Sequence, residues 1–81
     1  MNYTWYYHET IYYRAKQVFE EEEKALMCAA WCMAEKGNSF EEIADQLDVY
    51  DTVAIALYNE ADSLRLLDWE FREKTNKLLN G

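Results

Sequence analysis

The sequence predicts an all-α protein, a single small bundle of three to four helices opened by a long N-terminal helix. Three observations carry that prediction. The 81 residues contain no proline, and the only glycines are Gly37 and Gly81. Most β-architectures need several turn residues at positive φ, whereas helices need only caps. Apolar residues recur at helical spacing along most of the chain, and helix stop and start signals meet between Lys36 and Ser39. A chain of this length, residues 1–81, makes one domain and has no room for a second core.

The first helix is expected from about Glu9 to Lys36. Trp5, Tyr12, Phe19, Leu26 and Met33 recur every seven residues, with Ile11, Val18, Ala25 and Cys32 on the adjoining row. Together they form one apolar stripe of coiled-coil period. Lys16 to Glu20 and Glu20 to Lys24 are i,i+4 charge pairs on the wet side. The Glu20–Glu23 run reads as a solvated face, and Glu22, beside the stripe, is a weak point in it. About 26 helical residues at about 1.5 Å each would reach about 39 Å. So long a helix is expected to project or to pair with a second subunit.

Gly37 suits the left-handed position that follows a helix, with Lys36 well placed in the last turn. Ser39 and Glu42 have the spacing of a capping box. They start a short second helix, Phe40 to Leu47, that buries Phe40, Ile43, Ala44 and Leu47. Asp48-Val49-Tyr50-Asp51 interrupts the period, and Asp51 is the expected N-cap of a third helix. That helix carries Val53, Ala54, Leu57, Tyr58, Ala61 and Leu64 on one side. Beyond this point two readings stay open. The helix runs on to Leu79, or Asp62 and Ser63 cap a fourth helix with Leu64, Leu67, Phe71 and Leu78 inside. Leu66 and Trp69 fall on another face, so this segment is either packed on two sides or exposed for assembly.

The stretch from Ser39 to Ala61, SFEEIADQLDVYDTVAIALYNEA, carries Ile43-Ala44, Leu47 and Val49 ahead of a helix beginning Thr52-Val53. It resembles the helix-turn-helix of small bacterial and phage regulators. The resemblance covers 23 of the 81 residues. It implies a helix-turn-helix-like hairpin in which Ala44 lets the next helix approach and Leu47 with Val49 anchors the turn. Two features depart from the family pattern: Asp48 stands where the turn usually has glycine, and the turn is one residue shorter than in many regulators.

Charge argues against using that hairpin on DNA. Sixteen acids against eight bases give a net charge of −8, which opposes long-range attraction to phosphate or anionic lipid. Between Lys36 and Arg65 there is no basic residue, while Glu41, Glu42, Asp45, Asp48, Asp51, Glu60 and Asp62 supply seven acids. A reading helix offering Thr52, Ile55, Tyr58 and Asn59 among carboxylates would gain little counterion release. The seven acids are therefore the first candidate partner-binding face, suited to a protein with a basic surface and to mimicry of nucleic acid. A second candidate is the aromatic end, where Tyr3, Tyr6, Tyr7 and Tyr13 exceed what one helix face can bury. Tyrosines supply interface area at low entropic cost; the alternative is a tyrosine-rich cap over a small core.

No chemistry of catalysis or metal binding is legible. His8 is the only histidine, so no tetrahedral ligand set forms. Cys28 and Cys32, four residues apart, lack C-x-x-C redox spacing, and a disulfide between them would be strained. They read as small buried apolar residues. No glycine-rich phosphate loop or nucleophile elbow is present, and so small a helical domain offers no enclosed substrate pocket. The chain is read as a non-enzyme without cofactor or small-molecule substrate. It has no apparent signal peptide or membrane-spanning run, hence the expectation of a cytoplasmic protein.

The function expected from these features is protein binding. Size and charge resemble the inhibitors that phages and mobile elements direct at host machinery, anti-CRISPR-like or anti-restriction. The alternatives are a dimeric helix-turn-helix DNA-binding regulator, using Arg65, Arg72, Lys74 and Lys77 on phosphates, and an assembly subunit that forms a homodimer through the stripe and Trp69.

Overall fold

The computed structural model describes residues 11–80 and is all-helical. Its elements are α1 (Ile11–Val18), α2 (Glu22–Glu35), α3 (Phe40–Leu47), α4 (Asp51–Leu67) and α5 (Trp69–Asn80). The described residues alone thus form five helices where the sequence suggested three to four for the whole chain, because the chain breaks at two places where the sequence left it continuous or unresolved.

The first break divides the expected long helix at Phe19–Glu21. Nothing in local propensity demands it, since Glu is a good helix former. Long-range contacts hold it instead. The Phe19 ring turns onto Phe71 of α5, with centroids 5.3 Å apart. Lys74, also on α5, donates to the Val18 carbonyl at 3.1 Å and lies over the Phe19 ring. It thereby satisfies one of the carbonyls that a helix end orphans. Tyr12 donates to Glu22 at 3.2 Å across the break, tying α1 to the start of α2. The charges suit the new ends: Lys16 lies in the last turn of α1, and Glu22 and Glu23 lie in the first turn of α2. The stripe residues Tyr12, Phe19 and Met33 are still buried, but Tyr12 lies on α1, Phe19 in the break and Met33 on α2, and Leu26 is only half-buried.

From Met27 to Met33 every residue of α2 is buried. A helix apolar on all sides is the interior element of a fold, so α2 is the central strut and the other helices surround it. Its end is a Schellman motif. Asn38 N–H reaches the Met33 carbonyl at 3.0 Å and Gly37 N–H reaches Ala34 at 3.1 Å, with Gly37 at φ 100°.

Helix α3 has the bounds read from sequence. The capping box is complete: Glu42 N–H donates to Ser39 Oγ at 3.1 Å, and Ser39 N–H to Glu42 Oε1 at 2.9 Å. Ile43, Ala44 and Leu47 are buried, whereas Phe40 sits half-buried against the Tyr58 ring. A second Schellman pair closes α3, from Val49 N–H to Ala44 at 3.0 Å and Asp48 N–H to Asp45 at 3.3 Å. Asp48 takes the left-handed position itself, at φ 59° and ψ 49°.

Three expectations for the C-terminal half are corrected. Asp51 is not the N-cap of α4. Tyr50 holds that place without a side-chain bond, and Asp51 is the first helical residue. Asp62 and Ser63 cap nothing, being in mid-helix. The second break comes at Asp68, whose carboxylate accepts from Glu70 N–H at 3.0 Å and Phe71 N–H at 3.2 Å. One residue thus ends α4, through its N–H to the Leu64 carbonyl, and caps α5. So tight a corner leaves Leu67 outside, 84% exposed rather than buried, beside Leu66 at 82% and Trp69 at 73%.

Candidate functional site

All seven hairpin acids, Glu41, Glu42, Asp45, Asp48, Asp51, Glu60 and Asp62, are exposed. They do not form one cluster. At about 100° per residue, Glu41, Asp45 and Asp48 line one face of α3 and its turn. Glu42 is engaged in the capping box. Glu60 and Asp62, two residues apart, project from opposite flanks of α4. Between them the outward face of α4 presents Thr52, Ile55, Asn59, Ser63 and Leu66, none of them charged and all exposed. Tyr58, considered as a base reader, is turned inward instead, edge-on to Phe40 and donating to Glu35 at 3.5 Å. Burial and the nearby Glu35 and Asp62 charges raise its pKa above the usual tyrosine value.

Asp62 faces a polar hub that joins three helices. Its carboxylate accepts from Trp31 Nε1 at 3.4 Å. The Arg65 guanidinium stacks 3.8 Å from the centre of the Trp31 ring and donates to Thr75 at 3.0 Å and to Asn76. Thr75, fully buried, donates its hydroxyl hydrogen bond to the Arg72 carbonyl at 2.8 Å. Arg65 is thereby committed to joining α2, α4 and α5, and Lys74 to capping α1 and pairing with Glu70 at 3.5 Å. Of the four bases that a DNA-binding use would need, only Arg72 and Lys77 remain among exposed residues.

Glu60 belongs to a different surface, which sequence spacing did not reveal. It lines a shallow, wide-open groove of about 450 Å3 between α2 and α4, together with Glu23 of α2. Met27, Leu64 and Leu67 line the groove, with Asn59 and Ser63 on its α4 side. The signal for it in the sequence was slight, the apolar Leu64 and Leu67 near the end of α4. That Glu23 would meet Glu60 depends on how α2 lies against α4.

Of the aromatic end, Tyr3, Tyr6 and Tyr7 lie outside the described residues, as do Trp5 and His8. Tyr13, in α1, is half-buried. Cys28 and Cys32 are both fully buried and free, and Cys32 donates weakly to the Thr75 carbonyl at 3.6 Å. Its hydrogen bond to Cys32, together with burial, pushes the Cys28 thiol far above its ordinary value, so it stays protonated and unreactive. Among the described residues, no group of His, Cys, Asp or Glu could hold a metal ion. No helix there is long and apolar enough to cross a membrane. No family model, characterised protein or solved structure matches the chain.

Proposed function

We propose that this chain is a protein-binding module that sets an acidic helical hairpin against a basic surface, one that in the partner ordinarily holds nucleic acid. One observation carries the reading. From Gly37 to Leu64, 28 positions, there is no cation, every acid in that span is exposed, and Arg65 at its edge is stacked on Trp31. The hairpin therefore carries seven exposed carboxylates and no cation of its own, with Arg65 the cation at its C-terminal edge. Such a surface steers association with a Lys/Arg groove and repels phosphate. This is the behaviour of a small phage or mobile-element inhibitor that acts as a nucleic-acid mimic. Direct DNA binding has only Arg72 and Lys77 on α5 to draw on, too few phosphate contacts for useful counterion release.

The test is capture from nuclease-treated bacterial lysate, followed by competition. Expected is a nucleic-acid-binding protein displaced by its own DNA or RNA, and lost when Glu41, Asp45 and Asp48 are replaced by their amides. Binding to duplex DNA that weakens steeply with salt would instead make the chain a regulator.

A further inference from the structure

The α2–α4 groove combines two features that the acidic hairpin does not use. Its apolar lining is Met27, Leu64 and Leu67, and the exposed Leu67 side chain has no described element over it. Its rims are acidic on both sides, Glu23 from α2 and Glu60 from α4. Exposed apolar side chains rimmed by polar ones mark contact sites, and charge then helps select who makes the contact. Along α4 the lining residues Asn59, Ser63 and Leu67 follow the i, i+4, i+8 row, about 12 Å of helix. That length suits two turns of an apposed helix whose anchors recur at i, i+3/i+4 and i+7.

We infer that this groove is the docking site for an amphipathic basic helix of a partner protein. The partner's apolar stripe packs on the Met27–Leu64–Leu67 lining, and Lys or Arg on its two flanks pairs with Glu23 and Glu60. Charge complementarity selects this occupant over a second copy of the chain. A copy carries a net charge of −8 and would bring further acids towards rims that are already negative. The inference rests on the protein-binding reading above and names the element that the partner brings.

A direct test titrates the full chain with a synthetic helical peptide of about 14 residues, with Leu on one face and Lys on the flanks. A scrambled peptide of equal charge is the control, and amide shifts are followed by NMR. Expected are salt-sensitive binding of the amphipathic peptide, shifts at Asn59, Ser63 and Leu67, and at least tenfold weaker binding of the scramble. Leu67→Asp should weaken the peptide at least tenfold with unchanged helicity, and Ser63→Arg should do the same by placing a cation in the groove. The paired change Glu23→Gln with Glu60→Gln should weaken binding about threefold to tenfold at low salt and flatten its salt dependence. Equal binding of both peptides, with shifts at Glu41 and Asp45 instead, would overturn the groove while leaving the acidic hairpin as the binding surface. No binding of either peptide would overturn the groove, while the acidic hairpin stands or falls on the lysate capture. A dimer of the free protein that Leu67→Asp dissociates, or contacts from residues 1–10 onto Leu67, would assign the groove to this chain itself and overturn the inference.

Discussion

Replacing Asp48 by glycine should stabilise the fold, and the size of the effect follows from the turn. Asp48 is held at φ 59° and ψ 49° by the Schellman pair that closes α3. A side chain in that region costs about 1–2 kcal/mol, at the lower end for Asp, whose short polar group tolerates it. Its carboxylate also sits at the negative end of α3, where removing a charge gains up to about 0.3–1 kcal/mol at low salt. Against this, glycine loses about 0.5–1 kcal/mol of extra chain entropy on folding. The balance is a gain of about 1 kcal/mol, or about 4–8 °C in Tm for a domain of this size. Asp48→Asn separates the two contributions, because it keeps the left-handed tolerance and removes only the charge. Gly37→Ala supplies the opposite sign. Nothing lies within 4 Å of the added methyl, so any loss there reflects φ 100° alone. Urea unfolding followed by far-UV circular dichroism measures all three. If Asp48→Gly gains no more than Asp48→Asn, backbone strain at the turn is absent and the reasoning fails.

Other perturbations read different parts of the fold. Arg65→Ala should cost about 2–3 kcal/mol, through the Trp31 stack and the Thr75 hydrogen bond. Arg65→Lys should recover less than half of that, because an ammonium cannot both stack and fork; full recovery in thermal melts would show that only charge matters. Asp68→Ala removes both N–H acceptors of the α4–α5 corner and should cost about 1 kcal/mol. Asp68→Asn, which retains an acceptor oxygen, should lose much less, and equal losses would rule out a capping role. Cys28 and Cys32 should resist maleimide in the folded protein and react on unfolding. Labelling at the rate of an exposed thiol under native conditions would contradict their burial.

The parts of the fold legible in the sequence are those settled within a few residues. Ser39 and Glu42 form their box across three positions, Gly37 ends α2 through bonds to Met33 and Ala34, and the short helix between Phe40 and Leu47 has the bounds its pattern predicts. Exposure of the hairpin acids was equally legible, since a carboxylate without a partner stays in water. Where two local solutions were equally good, sequence could not choose. Asp62, Ser63 and Asp68 are all competent caps, and only the seating of Phe71 in the core places the corner at Asp68.

Tertiary structure decided whatever depends on a distant partner. The seven-residue stripe fitted one long helix as well as two short ones. The choice rests on Phe19 meeting Phe71 and on Lys74 reaching the Val18 carbonyl, 56 residues away in sequence. The all-round burial of Met27 to Met33, the withdrawal of Arg65 onto Trp31, and the placing of Glu23 and Glu60 along one groove are of the same kind. Helix caps and periodicity are set by neighbours in the chain. Which side of a helix is covered, and which charge stays free to meet a partner, are set by the helix that lies against it.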